Sequence, residues 1–590
     1  VLPLLLPVTG LQLSPYKDLA QALAVKGATV VAERSGPLGW VQVVDNDTVP
    51  LRHAPGLSLT SPALPPEQLG LYVDGGLLGA VTRLEGEPGD LAYLDWQDAA
   101  LPYHLSDPEA VLVLGAGGGA EVLRALYHDA GAVTAVELNP DVVALLRGPL
   151  AEFAGGLYDR PDVGVLIDEA RSFVAGNTRR YDLIQVALLD AFGTGGLHAL
   201  NESTLYTVEA LEEYLEHLAP GGLLAFTRWL RIPPRDGLKL LLTATTALER
   251  AGVTDPGERL LMIRGWKTTT LVVGEQPFTA AQIQALKEFS ASRGFDLVWY
   301  PGMDPGEANR RHQLAGAPLH QGARALLGPG REAFLAGYKF DLHPATDNRP
   351  YYFHFFRWRT LPELLGLAAG GGLAQLEWGY LVLVATLIQA LLAGLVLILL
   401  PLLLGRQQLP AGGRGRVFGY FGAIGLAFLF LEIAMIQKFM LFLGHPLTAV
   451  AVVLAGFLVF AGLGSGVSRQ LDPARHLWPV VAGIGMLGVS YLWLLPALFG
   501  GAMAWPLALK IALALTLIAP LAFLMGMPFP LGLERVAGGA LLPWAWGING
   551  CASVVSAVLA VLLAMAVGFD GVVVLAVGLY GVAGASLPRG

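Results

Sequence analysis

The residues best placed to do chemistry begin at a glycine cluster. Gly115-Ala116-Gly117-Gly118-Gly119 follows the apolar run Val111–Leu114 and precedes a helical pattern over Ala120–His128. Glycine lets the backbone turn sharply and approach a ligand closely, and a helix N-terminus offers free amides. The next apolar run, Val133–Val136, ends in Glu137, 18 residues after Gly119. A carboxylate there can accept both hydroxyls of a ribose. The strand pattern after that, Gly164–Ile167, ends in Asp168-Glu169-Ala170, where an acid can meet the amino group of an adenine. A dinucleotide site wants G-x-G-x-x-G. The spacing Gly115-x-Gly117-x-Gly119, with its acid one strand later, is closer to S-adenosylmethionine-type sites. The plain alternative is a structural glycine turn. Farther on, the run Gly222–Phe226 leads into Arg228-Trp229-Leu230-Arg231-Ile232-Pro233-Pro234-Arg235. Loops at the carboxyl ends of strands hold ligands in open α/β sheets. Arg228, Trp229, Arg231 and Arg235 are therefore candidate substrate contacts for a carboxylate or phosphate, or else a solvated or lipid-facing charge patch.

These residues need a sheet to hold them. Residues 111–255 alternate apolar strand runs (111–114, 133–136, 164–167, 183–186, 222–226) with helical stretches (120–128, 140–147, 205–218, 239–251). That order predicts a doubly wound parallel sheet, a Rossmann-like domain over 106–255. Residues 25–105 read differently, as short strands at 28–32, 40–44 and 70–73 divided by turn residues, which predicts a small antiparallel β-domain over 1–105. Residues 256–376 read as an α/β extension with a juxtamembrane segment. In it, Tyr351, Tyr352, Phe353, Phe355, Phe356 and Trp358 form either a core strand packing on the sheet or an aromatic belt at the lipid headgroups. Val1–Val8 is too short to span a bilayer and reads as the tail of a preceding membrane helix or as a buried strand.

Composition divides the chain. Residues 377–590 hold 9 Lys+Arg and 5 Asp+Glu, whereas residues 1–376 hold 29 and 42. The carboxyl part is membrane-like, with apolar spans at about 377–404, 416–436, 442–466, 477–499, 503–527, 541–567 and 570–587, seven in all. The lipid bilayer is thus a partner, and the protein is expected to be multi-pass in the cell membrane. Glu432 is expected to pair with a Lys or His inside it, since buried charge there is expensive. The acidic amino part argues against nucleic acid, which needs a basic face. The single Cys551 excludes a disulfide scaffold and a Cys-based zinc or iron–sulfur site, and no metal is assigned. Sidedness draws two opposed arguments. Arg406, Arg414, Arg416, Arg469, Arg475, Arg535 and Arg589 fall on one side of the spans, which should be cytoplasmic. That puts the amino part outside, while a cytoplasmic cofactor favours placing it inside.

The chain resembles the spermine/spermidine synthase family in its membrane-fused branch. The matching stretches are YVDG (72–75), VLVLGAGGGAEVLRAL (111–126), VELNPDVV (136–143), YDLI (181–184) and LAPGGLLAF (218–226), with ATDNRPYYF (345–353), IQKFMLFLGHPL (436–447), GMPFPLGL (526–533) and WAWGING (544–550) for the fused branch. The resemblance implies a β-domain plus a Rossmann-like domain, and transfer of an aminopropyl group from decarboxylated S-adenosylmethionine to an amine. It also shows departures. The family's D-x-x-D after YDxIxx appears as Ala187-Leu188-Leu189-Asp190, which leaves Asp190 as the acid/base candidate. The glycine-loop Asp that binds the cofactor's amine is Gly118, and the Gln of the neighbouring sheet is Leu78. Tyr93 and Asp95 match the family's Tyr-x-Glu, whereas His104 falls outside its spacing. A diamine must lose a proton before it attacks, so a pocket without these acids makes a poor polyamine site. The expectation is a membrane protein that transfers an aminopropyl or methyl group from decarboxylated or ordinary S-adenosylmethionine to a small-molecule acceptor. The competing class is a non-catalytic nucleotide sensor or transporter.

Overall fold

The computed structural model describes residues 13–188, 203–363, 366, 378–404, 414–536 and 541–588. The amino part begins with four strands, β1 (Ala28–Gly36), β2 (Gly39–Asn46), β3 (Gln68–Val73) and β4 (Gly76–Thr82), paired antiparallel in that order. β4 is additional to the sequence expectation. Its glycines hide it, because Gly76 and Gly79 interrupt the apolar run.

The second sheet has eight strands. β5 (Ala110–Leu114), β6 (Ala132–Glu137), β7 (Val163–Ile167), β8 (Tyr181–Val186) and β9 (Leu218–Trp229) are parallel, in the spatial order β9-β8-β5-β6-β7. The core residues of β5 and β8 are fully buried, as continuous apolar runs between two helical layers require. β10 (Leu260–Arg264), β11 (Thr268–Gly274) and β12 (Asp296–Trp299) extend the β9 edge antiparallel. The segment expected as a separate extension is thus hydrogen-bonded into the same sheet. Helices α1 (Ala120–Tyr127), α2 (Pro140–Arg147), α3 (Ala170–Ala175), α4 (Val208–Glu216), α5 (Asp236–Arg250) and α6 (Ala280–Arg293) follow their strands.

Among the described residues, six carboxyl-terminal helices are long and apolar enough to cross a membrane: α7 (Gly379–Leu402), α8 (Arg414–Leu443), α9 (Pro446–Ser468), α10 (Pro473–Ala502), α11 (Leu507–Val536) and α12 (Leu542–Ala585). Seven separate spans were expected, and the last two are joined. As a straight rod, the 44 residues of α12 would measure about 66 Å, twice the ~30 Å of hydrocarbon. The helix breaks at Gly568, with φ 77° and ψ 168°. Both halves lie along α8. Asn549 packs at Gly425, Asp570 reaches Lys438, and Leu587 accepts a hydrogen bond from Arg416. α12 is therefore a hairpin that reverses at Gly568.

The aromatic segment is core packing, with Tyr351, Tyr352, Phe355 and Phe356 all buried, although it forms no strand. Its preceding residues bind the bundle to the sheet. Asp347 and Glu213 flank the buried Arg171 of α3, at 3.0 and 2.6 Å. Asn348 clamps the hairpin, accepting from Phe569 N at 2.9 Å through its carbonyl and from Asp570 N at 2.8 Å through Oδ1. Ser172 of α3 donates to Leu441 O at 3.0 Å. The sheet therefore sits on the face of the bundle where α8, α10 and the two halves of α12 turn. The far face carries Arg416, Arg469, Arg475 and Arg535, the last 3.6 Å from Asp472.

Glu432 differs from expectation. Lys438 pairs with Asp570 and Lys510 faces the sheet domain, so neither reaches it. Glu432 is buried with no hydrogen-bond or ion-pair partner among the described residues.

Candidate nucleoside site

The glycine loop leaves β5 and is fixed at once. Gly115 N and Ala116 N both donate to Val136 O, at 2.9 and 3.0 Å. Gly117 has φ 50°, and a Cβ there would meet nothing within 4 Å. This is the open face that a ligand could approach. Gly119 has φ 89° and lies against Leu157, where a Cβ would stand 2.5 Å from Cδ2. Glycine is therefore needed there for conformation and for packing.

Glu137 ends β6 almost wholly buried. Oε2 accepts from Gly117 N and Oε1 from Asn139 N, each at 2.8 Å. Burial raises its pKa, and the backbone amides act in the opposite sense. Each oxygen keeps a second lone pair, so the carboxylate can brace the loop and still accept ribose hydroxyls. Tyr158, which the sequence does not single out, donates to Gly117 O at 2.7 Å from the other side.

At the end of β7 the three candidate residues separate. Glu169 turns inward as the N-cap of α3, accepting from Ser172 N at 2.8 Å. Burial raises its pKa as well. Ala170 is the first residue of that helix. Asp168 accepts from Glu169 N at 2.8 Å and faces a cavity. Of the three, it is the one whose side chain meets open space.

A cavity of about 80 Å³ lies between the two sheets, bordered by Gly117, Gly118, Glu121, Tyr93, Ala187 and Leu78. Glu121 is the described carboxylate on it, and the sequence analysis missed it. An acid in the first turn of a helix reads as a partner for the helix dipole. Only the fold shows that it borders the cavity. Its Oε2 accepts from Gln185 Nε2 at 2.5 Å and from Arg124, whose own Nη2 donates to Gln97 Oε1 at 2.8 Å. Burial lowers the pKa of Arg124, which the Tyr103 and Tyr93 hydroxyls and the Asp98 carboxylate oppose.

Gly118 is closed in a way that its sequence does not reveal. A Cβ there would stand 2.2 Å from Ala80 O and 2.7 Å from its carbonyl carbon. The β4 backbone therefore fills the space that the family's aspartate would need. Asp190 lies outside the described residues. Tyr93 reaches the cavity, while Asp95 turns away to His104 at 2.6 Å and to Arg293. Asp95, His104 and His128 are the described residues with metal-type geometry. The Arg293 guanidinium already supplies the cation beside them.

The stretch from Arg228 to Arg235 corrects the expectation of a substrate mouth. Neighbours in a strand point to opposite faces. Thr227 borders the cavity, and Arg228 points the other way. Arg228 is 1% exposed, donates to Tyr206 Oη at 3.1 Å and stacks on Phe353 at 5.0 Å. Arg235 is buried over Phe340, and Trp229 is buried too. Arg231 stays half-exposed and does not line the cavity.

Residues 99–227 match the family model described as the spermine/spermidine synthase domain. A polyamine aminopropyltransferase of Korarchaeum cryptofilum is 30% identical over 120 residues, 20% of this chain and 35% of that protein. Another, from Mycobacterium tuberculosis, is 33% identical over 163 residues, 27% and 28% of the two chains. The chain thus spans about a third of the length of these curated relatives. A spermidine synthase structure from Thermotoga maritima covers 52% of this chain and 86% of its own, at 14% identity and a TM-score of 0.30. From strand order, glycine loop and family match together, the chain carries a spermidine synthase-like domain joined to a bundle of apolar helices.

Proposed function

We propose that the protein binds an S-adenosyl nucleoside and transfers an aminopropyl or methyl group from it to a small-molecule amine. The observation that carries this reading is the glycine loop braced on Glu137, with Gly117 facing open space. Gly115, Gly117 and Gly119 would hold the nucleoside through their backbone, Glu137 the ribose and Asp168 the base. S-Adenosylmethionine or its decarboxylated form supplies an electrophilic carbon beside the sulfonium. The chain's part is to orient an acceptor amine and take its proton. Asp190 keeps that role by sequence. Glu121 adds a fixed carboxylate that Arg124 and Gln185 hold in one rotamer. With the aspartates absent at 118 and 187, the site lacks the charge that concentrates a diamine, so the acceptor carries less positive charge than putrescine. Calorimetry on the full chain in detergent, with S-adenosylmethionine, its decarboxylated form and methylthioadenosine, tests the reading. Binding that Glu137→Ala abolishes supports it. No binding of any of the three rejects it.

A second reading, a non-catalytic nucleotide sensor or transporter, draws on two observations. Ala80 O closes the space at Gly118, and the far-face arginines point to the cytoplasm by the positive-inside rule. The transferase reading places the sheet domain in the cytoplasm, where its cofactor is made, and the carboxyl terminus outside. A reporter fused after residue 590 separates the two. Cytoplasmic signal from it moves the weight to the second reading.

A further inference from the structure

A second cavity, of about 380 Å³, lies where the sheet domain meets the bundle. Asp168, Ser172 and Asn177 border it from the sheet side, and Gly444, Trp505 and Lys510 from the bundle side. The turn between α8 and α9 comes close. Gly444 has φ 75°, and a Cβ there would stand 3.3 Å from Ser172 Oγ and 3.9 Å from Asp168 Oδ1. Lys510 is 8% exposed. Its ammonium lies 5.7 Å from the Phe442 ring centroid and has no hydrogen-bond or ion-pair partner among the described residues. A buried ammonium left without an acceptor is costly, which marks it as a donor held for something that enters the cavity.

The cavity's charged groups are thus an acceptor, the Asp168 carboxylate, and a donor, the Lys510 ammonium, on opposite walls, with the polar side chains of Ser172, Asn177, His445 and Trp505 beside them. A 6-aminopurine presents the complement, an exocyclic amine that donates beside ring nitrogens that accept. A 6-oxopurine would turn a carbonyl oxygen toward the carboxylate. We propose that this junction receives the base of the nucleoside and that Lys510 donates to a ring nitrogen, so that the membrane bundle forms one wall of the nucleoside site. The proposal rests on the nucleoside reading above and adds a contact from the bundle. It also gives the bundle a role beyond tethering, because a bound base would touch both parts of the protein.

The test uses the full chain in lipid nanodiscs and S-adenosylhomocysteine as the probe. Lys510→Met is expected to weaken binding tenfold or more, about 1.4 kcal/mol, and Lys510→Arg to retain most of it. The wild type is expected to bind S-inosylhomocysteine at least tenfold more weakly. S-Adenosylhomocysteine should also slow acylation of wild-type Lys510, a readout that needs no variant to fold. If the wild type binds no nucleoside, the nucleoside reading falls and this proposal with it. If the wild type binds and Lys510→Met binds equally well, or if Lys510 is unprotected, this proposal alone falls. Release of bound phospholipid by Lys510→Met, with nucleoside affinity unchanged, would reassign the cavity to a lipid headgroup and overturn it.

Discussion

Restoring the family's aspartate at Gly118 should harm this protein. The added Cβ would stand 2.2 Å from Ala80 O, a contact that requires one backbone to move. Ala80 is paired with Gly70 inside the amino-terminal sheet, so the carbonyl cannot swing away alone. Overpacking of this kind costs about 1–3 kcal/mol. The carboxylate adds a further ~1–3 kcal/mol, because it would face a carbonyl oxygen and leave a buried acceptor unpaired. At about 2 °C or more per kcal/mol for a domain of this size, Gly118→Asp should lower the thermal midpoint of the sheet domain by roughly 5–10 °C, and Gly118→Ala by about half as much. Ala187→Asp provides the contrast. That residue borders the cavity, where a carboxylate finds space, so its midpoint should stay within a few degrees of the wild type. Scanning calorimetry of the full chain reads all three. The reasoning is refuted if Gly118→Asp melts with the wild type, or if it gains spermidine formation from putrescine, because either result requires β4 to stand clear of the loop.

Other perturbations test separate parts of the molecule. Gly464→Leu should abolish folded protein in detergent, since a Cβ there would stand 1.9 Å from Phe523 O, while Gly550→Leu should fold normally because nothing lies within 4 Å; equal yields would refute close packing of α9 on α11. Arg171→Met should cost about 3–5 kcal/mol, as it leaves Glu213 and Asp347 facing each other without their cation, and a melting curve unchanged from the wild type would refute the bracket. Lowering the pH from 7.5 to 6 should also destabilise the sheet domain. Burial lowers His53, His128 and His354 from 6.5 to about 4, so the unfolded chain takes up protons first and stability falls as pH drops through that window. Burial raises Asp98 to about 6 and raises Glu137 and Glu169 as well, which works the opposite way once the pH falls below about 6, so the loss from the imidazoles dominates the first part of the titration, from 7.5 to 6. A midpoint that rises on acidification would refute the sign.

What could be read from the sequence was local. The run Val111–Leu114, the glycines after it and Glu137 are close in the chain, so their order alone fixes a strand, a loop, a helix and a second strand. What escaped depends on partners distant in sequence. Glu121 and Gln185 are 64 positions apart, and only the pairing of β8 beside β5 brings them together. Arg228 was misplaced because the loop rule speaks to residues after a strand, and β9 runs on to Trp229. Among the small residues of the bundle, Gly547 packs against Leu402 and Gly550 meets nothing, a difference that periodicity does not encode.

The bundle is joined to the sheet domain by more than a linker. A single span would serve to tether it. The motif ATDNRP instead joins the two parts at adjacent residues: Asp347 closes on Arg171 of α3, and Asn348 closes on the hairpin at Gly568. A Cβ at Gly568 would stand 2.5 Å from Asn348 Nδ2, so the reversal is shaped to receive that side chain. α3 is in turn the helix that Glu169 caps and that begins beside Asp168. Asn348, Asp347 and Arg171 thus form a continuous chain of contacts from the hairpin to the helix that begins at the strand end where the base is proposed to lie. This linkage gives the fused helices a physical route to the proposed nucleoside site.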